Sequence, residues 1–163
     1  MKKLYILVFI GLLYPFAGLC PSPTNNQRHS IEHAKKQLFF DTIYSKDFTT
    51  DLLRDALYYL DIIEPEVVYK QARLETGDFK SDIFIYGNNI FGMKLARSRE
   101  TTAIGEFQYH ARYYHWFLSV MDYKLLQDYY ASKGYQMNDY LVFLEQMGYA
   151  EDLNYIKKLL DIS

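Results

Sequence analysis

The sequence contains only one cysteine, Cys20, among 163 residues. A single cysteine cannot form an internal disulfide and cannot supply a cysteine metal cluster. Cys20 also falls in an N-terminal segment that has the pattern of a leader, which excludes cysteine as a nucleophile of the folded body. Packing must therefore stabilise the fold, and 50% hydrophobic and 18% aromatic residues supply the apolar surface for it.

The sequence also lacks a large net charge and any long basic run. Its 18 basic and 20 acidic residues give a net charge of −2. Binding to a phosphate backbone requires clustered lysines and arginines, so we expect no nucleic acid partner. The length fits one domain and excludes a large multidomain enzyme.

Motifs for metal, nucleotide and serine chemistry are missing. Among the four histidines, only His29 and His33 have a helical i, i+4 spacing, and no acidic residue on a fixed element accompanies them. We interpret this pair as surface residues. Neither a phosphate-binding glycine loop nor a serine nucleophile elbow occurs, so the sequence predicts no metal and no cofactor.

Residues 1–20 have the layout of an export signal. A lysine pair precedes the apolar run Leu4–Leu13, and Pro15 follows it. This run is too short and too interrupted for a membrane-spanning helix, and the lysines disfavour the alternative of a core helix. Cys20 is compatible with lipidation, as in bacterial lipoproteins, and with ordinary cleavage nearby, because Leu19 fits a lipobox poorly.

Residues 21–30 form a polar stretch with two prolines, which predicts a linker, and residues 31–163 form the predicted folded domain. Within that domain, apolar residues at helical spacing predict five or six helices. Their predicted N-caps include Thr50, Asn138 and Asp152. The helices are predicted to begin near Ser30, Thr50, Pro65, Ala111, Asn138 and Asp152.

The pattern changes between Asp78 and His110. Glycines and asparagines separate two short β-prone pieces, Ile83–Tyr86 and Thr101–Ile104, which predict a loop and a small hairpin. The predicted fold class is therefore α+β, mainly helical with a small β-element.

Glu75 is unusual because it places a carboxylate on an apolar helix face. It follows Val68 by seven positions, so both side chains project from the same stripe. Such a carboxyl group must be paired or have a raised pKa, and a raised pKa suits a general acid. The paired alternative stays open because three cations are close in sequence: Lys70, Arg73 and Lys80.

Four stretches resemble, in the right order, motifs of the family-73 glycoside hydrolases, the glucosaminidase domains that cut peptidoglycan. Gln71–Gly77 and Asn88–Lys94 are similar to the Q-A-x-L-E-T/S-G and N-N-L-F-G-I-K motifs. Tyr113–Asp122 and Gly148–Tyr155 are similar to Y-x-S-W-x-E-S-I-x-D and G-Y-A-T-D-P-x-Y. Each motif alone is weak, but together they cover nearly the whole folded body.

The resemblance implies a lysozyme-like domain, with a helical body and a small β-lobe over a substrate cleft. It places Glu75 at the catalytic acid position and implies peptidoglycan glycan strands as the partner, with no cofactor and no indicated oligomeric state. Since peptidoglycan lies outside the cytoplasmic membrane, we expect the protein in the periplasm or on an envelope membrane surface. The implied substrate-binding residues are Asn88, Asn89, Phe91, Gly92, Tyr113, Tyr149 and Tyr155.

Two positions depart from the family pattern. Ala103 stands where many members have a strand glutamate, and Ala111 stands where an arginine is usual. Glu100 and Glu106 flank the first position. We favour Glu106 as the second catalytic residue, because a turn at Gly105 can direct it towards the cleft. Assistance by the N-acetyl group of the substrate is the alternative.

Three functions follow from these residues. The leading hypothesis is a hydrolase that cleaves the β-1,4 bond after N-acetylglucosamine, with Glu75 protonating the leaving oxygen. A lytic transglycosylase would use the same acid and close the sugar's own hydroxyl onto the anomeric carbon. A glycan-binding module that has lost turnover is compatible with the missing strand glutamate. The distance between two carboxyl groups would distinguish inversion from retention.

Overall fold

The computed structural model describes residues 24–149 and 154–162. The chain divides into two compact units, one that ends at Leu38 and one that begins at Phe39. The described residues are mainly helical, with seven helices and one two-stranded antiparallel sheet. In chain order the elements are α1 (Asn25–Tyr44), α2 (Thr50–Tyr59), α3 (Pro65–Thr76), α4 (Asp82–Gly87), β1 (Gly105–Phe107), β2 (His110–Arg112), α5 (Trp116–Ser132), α6 (Tyr140–Gln146) and α7 (Tyr155–Leu160).

The first helix begins earlier than the apolar pattern predicts. It starts at Asn25 rather than near Ser30, so residues 25–30 of the predicted linker are helical. Hydrophobic periodicity does not detect this turn because its residues are polar. The predicted leader, residues 1–20, lies outside the described residues. Among the residues that are described, no helix has the length and apolar character needed to cross a membrane.

The core of the unit from Phe39 is formed by the apolar faces of α2, α3 and α5. Helix α3 packs against α2 and α7, and α5 packs against α2. The buried positions recur every three or four residues, which is the spacing of one helix face. They include Leu53, Ala56 and Leu57 of α2, Val68, Tyr69 and Ala72 of α3, and Phe117, Val120 and Tyr123 of α5.

Helix α3, which carries Glu75, has the ends that the sequence predicts. Pro65 lies in its first turn, where a missing N–H leaves no hydrogen bond unmade. Gly77 is its C-cap, with a left-handed φ of 55° that glycine adopts without a Cβ clash. Both predictions are confirmed, and Glu75 therefore lies in the last turn of α3.

Two predicted N-caps are displaced by one residue. Thr49, not Thr50, caps α2 by accepting a backbone N–H at 3.1 Å. Asp139, not Asn138, caps α6 in the same way at 3.2 Å. In each pair both residue types are good N-caps, so composition alone does not select between them. The predicted Asp152 cap lies outside the described residues.

The prediction that residues 83–86 are β-prone is wrong. These residues lie in α4, and the Ser81 hydroxyl caps this helix by accepting the Phe84 N–H at 3.3 Å. A local cap thus outweighs the β propensity of a short apolar run. Residues 101–104, also predicted to be β-prone, have no regular secondary structure.

The hairpin exists but lies later than predicted, and β2 occupies residues where a helix was expected to begin. Helix α5 starts at Trp116 instead of near Ala111. Strand β2 also bonds to the loop after α4, since Ala111 N–H donates to the Met93 carbonyl at 2.8 Å. This pairing holds residues 110–112 in an extended conformation. The register pairs Gly105 with Arg112, Glu106 with Ala111, and Phe107 with His110.

The N-cap of α2 gives a stability test. Thr49→Ala should lower the free energy of unfolding by about 1 kcal/mol, because the first turn of α2 loses its side-chain acceptor. Thr50→Ala is the matched control, since this exposed neighbour does not cap the helix. Thermal unfolding of both variants checks the assignment, and a larger loss for Thr50→Ala would contradict it.

Candidate active site

A cleft of about 270 Å³ lies beside the C-terminal end of α3. Glu75 forms part of its wall, facing residues from the loop after α4 and from α5. Basic residues of the loop are the other charged groups that line it. The cleft is lined by Glu75, residues 91–94, Arg99, Leu126, Tyr130 and residues 147–149.

The Glu75 carboxyl is partly buried, and this burial raises its pKa above the ordinary glutamate value. A hydrogen bond from Tyr155 and the charge of His110 act in the opposite direction but do not cancel the effect of burial. Arg73, one of the predicted cationic partners, pairs with Asp78 at 2.7 Å instead. The structure therefore supports the raised pKa over the paired alternative.

Gly92 brings a loop backbone directly against this carboxyl group. A Cβ placed on Gly92 would lie 2.8 Å from Oε2 of Glu75, which is closer than a Cβ atom approaches a non-bonded oxygen in real proteins. The φ of Gly92, 62°, also disfavours other residues. The wall of the cleft beside Glu75 is therefore backbone, and only glycine fits there without displacing the carboxyl group.

Asn89 holds the loop in this position through both ends of its amide. Its Nδ2 donates to the carbonyls of Met93 and Ala111, both at 2.8 Å. Its Oδ1 accepts the N–H groups of Phe91 and Met93, both at 3.2 Å. The amide is buried and all of its hydrogen-bonding groups have partners, so Asn89 shapes the cleft by holding the loop from behind.

Asn88 and Tyr113 also lie behind the cleft. Asn88 Nδ2 donates to the Tyr113 carbonyl at 3.0 Å. The Tyr113 hydroxyl, which is buried, donates to Asp122 at 2.7 Å. Burial and the Asp122 charge raise the pKa of Tyr113, so this hydroxyl keeps its proton. Through these bonds Asn88 supports the segment that follows β2, and Tyr113 supports α5.

Phe91 and Tyr149 are the predicted aromatic residues that the structure places in the cleft beside Glu75. The Tyr149 hydroxyl donates to the Phe91 carbonyl at 2.8 Å, which ties the chain after α6 to the loop. Burial raises the pKa of Tyr149, and the Glu75 charge raises it further. Phe91, Gly92, Tyr149 and Glu75 thus form one surface, although they come from three separate motifs.

Tyr155 hydrogen-bonds Glu75 from α7 and does not line the cleft. Gln71 Nε2 donates to the Tyr155 hydroxyl oxygen at 3.1 Å. Since that oxygen accepts from Gln71, its single proton is available for the Glu75 carboxyl. Tyr155 is therefore a support of the carboxyl group. Gln71 and Glu75 are one helical turn apart, and this spacing is the sequence signal for their connection.

The hydrogen-bond chain continues through residues that the sequence did not indicate. Tyr123 donates to Gln71 Oε1 at 2.7 Å and lies 2.8 Å from the Tyr140 hydroxyl. Gln127 Nε2 donates to Tyr140 at 2.6 Å. Because each hydroxyl has one proton, Tyr140 must donate to Tyr123. Every bond in the chain then points towards Glu75, an arrangement in which neighbouring bonds strengthen one another.

Glu100 and Glu106, the predicted candidates for a second carboxylate, are both exposed. Glu106 lies on β1 opposite Ala111, and neither glutamate lines the cleft that contains Glu75. The hairpin residue that acts on Glu75 is His110 of β2, whose charge lowers the pKa of the carboxyl group. Sequence reasoning missed His110 because its closeness to Glu75 depends on the position of the hairpin.

The Tyr155 hydrogen bond gives a prediction for the pKa of Glu75. Tyr155→Phe removes a donor that favours the ionised carboxylate, so the pKa of Glu75 should rise further. An NMR titration of the labelled carboxyl carbon measures this. Tyr58→Phe is the matched control, since Tyr58 donates to Glu66 at 3.0 Å outside the cleft. An unchanged or lower Glu75 pKa in Tyr155→Phe would contradict the assignment.

Comparison with protein families agrees with this geometry. The model of the glucosaminidase family, described as mannosyl-glycoprotein endo-beta-N-acetylglucosaminidase, matches residues 52–163. Comparisons with curated proteins and with solved structures gave no match. The matched range is more than half of the chain and contains every residue that lines the cleft. The chain therefore belongs to the glucosaminidase family of glycoside hydrolases, which implies hydrolysis of cell-wall glycans.

Proposed function

We propose that this protein hydrolyses the β-1,4 bond after N-acetylglucosamine in peptidoglycan, with Glu75 as the general acid. The observation that carries the proposal is a carboxyl group with a burial-raised pKa on the wall of an open cleft, within a glucosaminidase domain. A glycosidic oxygen must be protonated as its bond to the anomeric carbon breaks. A carboxyl group that retains its proton to a higher pH than usual can supply it.

The contacts of Glu75 suit this transfer. Tyr155 donates to the carboxyl group, which leaves the acidic proton free to point elsewhere. Gly92, beside Oε2, contributes no side chain that would cover the carboxyl group. After the proton moves to the leaving oxygen, Glu75 carries a negative charge. Tyr155 and His110 both favour that charged form, so they stabilise the carboxylate that is produced as the proton leaves.

We further propose a lysozyme-like arrangement in which the β1–β2 hairpin forms a lobe over the cleft. The hairpin is attached to the loop that contains Gly92, because Ala111 N–H of β2 donates to the Met93 carbonyl at 2.8 Å. Asn89 adds its bond from the same loop to β2. A hairpin joined to the cleft wall in this way can present residues to a bound glycan.

The second group that activates water is proposed to be Glu106. It lies on β1 directly after Gly105, whose φ of 154° is available to glycine. Ala103 lacks the carboxylate that many family members have, so a neighbouring acid or the N-acetyl group of the substrate must replace it. Substrate assistance requires no second carboxylate.

A pair of variants distinguishes the two candidate carboxylates, Glu106 and Glu100. Glu106→Gln should reduce kcat more than Glu100→Gln, because only Glu106 lies on the hairpin strand. Initial rates on purified peptidoglycan measure both. If both variants retain the wild-type rate, Glu106 is not the second group and substrate assistance accounts for the reaction.

The absence of an acid at position 103 also favours a second candidate function, a glycan-binding module with little or no turnover. A lytic transglycosylase that needs only the acid is the third. Mass spectrometry of digested peptidoglycan distinguishes them: hydrolysis leaves a reducing N-acetylglucosamine end, transglycosylation leaves a 1,6-anhydro end, and a binding module leaves the strands intact.

Export is part of the proposal, since peptidoglycan lies outside the cytoplasmic membrane. The charged start and apolar run of residues 1–20 support a leader. Lipidation of Cys20 would place the protein on an envelope membrane, and simple cleavage would release it into the periplasm.

The central prediction concerns Glu75. Glu75→Gln keeps the size of the side chain but removes its transferable proton, so kcat should fall by at least about 10²-fold. Because the pKa is raised, the ionised carboxylate destabilises the folded state once the pH exceeds the ordinary glutamate pKa. The variant should therefore have an equal or higher Tm at neutral pH, and this gain should vanish at a pH below that pKa.

Glu66→Gln on the same helix is the matched control. Glu66 is exposed, accepts from Arg54 at 2.7 Å, and has a pKa lowered by that bond. Its ionised form is stabilising, so the variant should keep its activity and lose at most about 1 kcal/mol at neutral pH. A folded Glu75→Gln protein with near-normal kcat would exclude Glu75 as the acid.

A further inference from the structure

The amide of Gln127 has its orientation fixed by the backbone of Ile63. Gln127 Oε1 accepts the Ile63 N–H at 2.9 Å, and Nε2 donates to the Ile63 carbonyl at 3.0 Å. A flipped amide would place Oε1 against a carbonyl oxygen and Nε2 against an N–H, so both bonds would be lost. The second proton of Nε2 is therefore directed to the Tyr140 hydroxyl, 2.6 Å away.

The tyrosine hydroxyls that follow each have a single proton. Burial raises the pKa of all three, so they stay protonated at neutral pH: they belong to Tyr123, Tyr140 and Tyr155. Because Tyr140 accepts from Gln127, it must donate to Tyr123. Tyr123 then donates to Gln71 Oε1, and Gln71 Nε2 donates to Tyr155. The proton of Tyr155 is left for the carboxyl group in the last turn of α3.

The same side chains can also bond in the reverse order if the far end is not fixed. Gln71 would then present Oε1 to Tyr155 and Nε2 to Tyr123, since a side-chain amide can turn over. Tyr155 would give its proton to Gln71, and its oxygen would face Glu75 as an acceptor. A protonated Glu75 would then direct its proton to Tyr155, which does not line the cleft, and away from a bound glycosidic oxygen.

We propose that Gln127 and Tyr140 are positioning residues for the acid. They fix the direction of the hydrogen-bond chain and so make Tyr155 a donor, which leaves the acidic proton of Glu75 on the carboxyl oxygen that Tyr155 does not contact. The inference rests on the proposed function. Gln127 and Tyr140 are both buried, neither lines the cleft, and both lie outside the four family-like motifs, so they act through Tyr155 and not on a ligand.

The charged groups near Glu75 are left in place by substitutions in this chain. His110 of β2 acts on the carboxyl group by its charge, and Lys94 and Arg99 line the same cleft. Residues 150–153, which contain two further acids, lie outside the described residues and are also unaltered. A difference between two variants of the chain therefore reports the hydrogen bonds and not these charges.

The test places Tyr140→Phe in two backgrounds, the parent protein and Tyr155→Phe. An NMR titration of the labelled carboxyl carbon gives the pKa of Glu75 in each. In the parent background Tyr140→Phe releases the direction of the chain, so Tyr155 donates to Glu75 for only part of the time and the pKa should rise. The rise should not exceed that of Tyr155→Phe. In the Tyr155→Phe background Tyr140→Phe should add nothing, because its effect passes through Tyr155.

Initial rates on purified peptidoglycan give a second readout. Tyr140→Phe should lower kcat by about fivefold, as for the loss of one hydrogen bond, and should leave KM unchanged because the cleft lining is intact. The basic limb of the pH–kcat profile should move to higher pH, since a carboxyl group with a higher pKa keeps its proton further into that range. Leu144→Val, a buried change on the same helix, is the matched control. It should lower the Tm but not move the profile.

An unchanged Glu75 pKa in Tyr140→Phe, or an equal rise in both backgrounds, would overturn the inference. Tyr123→Phe breaks the chain at the next bond and should give the same result, so it replaces Tyr140→Phe if that variant does not fold. The titration needs no turnover and tests the chain even if Glu75→Gln remains active and the proposed function fails. Loss of turnover in Glu75→Gln with an unchanged pKa in Tyr140→Phe would refute this inference alone.

Discussion

The close approach of the Gly92 backbone to the Glu75 carboxyl is the contact on which the site depends. The Gly92 backbone covers one side of the carboxyl group, and burial of that group is the largest cause of its raised pKa. A loop backbone can lie so near a carboxylate only if its own polar groups are satisfied elsewhere. Asn89 provides this by binding backbone groups on both sides of the turn, including Ala111 of β2. One buried amide therefore fixes the cleft wall and the hairpin together.

The buried hydrogen-bond chain gives the Glu75 carboxyl group a defined orientation. Burial alone would remove its polar contacts and leave the orientation undefined. Tyr155 supplies one contact, and its own orientation follows from Gln71. The chain ends at Gln127, whose amide binds the backbone N–H and carbonyl of Ile63 at 2.9 and 3.0 Å. Since the last acceptor is backbone, the direction of every proton in the chain is set by the fold. Burial raises the pKa of Glu75, and this directed chain limits the rise.

How much the sequence reveals depends on whether a signal is local. Pro65 and Gly77 mark the ends of α3, and the apolar stripe that contains Glu75 is visible from spacing alone. The four motifs are sufficient to indicate the family. Residues 83–86 have strand-like composition but form α4, with the Ser81 hydroxyl as its N-cap. Here two local signals, a short apolar run and a cap, point to different structures. The burial of Tyr113 and Asn89 and the chain through Tyr123 arise from contacts between distant segments, which composition and periodicity do not encode. Motif residues therefore identify the site, while tertiary contacts decide which of them face it.

The departures from the family pattern are explained in part by the same contacts. Asp122 has no exposed surface, and a buried carboxylate requires a cation and further hydrogen bonds. Ala111, where family members usually have an arginine, cannot provide them, but Arg99 reaches Asp122 from the loop and Tyr113 completes its bonding. An arginine that enters from the loop also fixes that loop, and with it Lys94 and Arg97, at the edge of the cleft. Supplying the cation from position 99 thus satisfies the buried acid and attaches the loop after Met93 to α5 as a consequence.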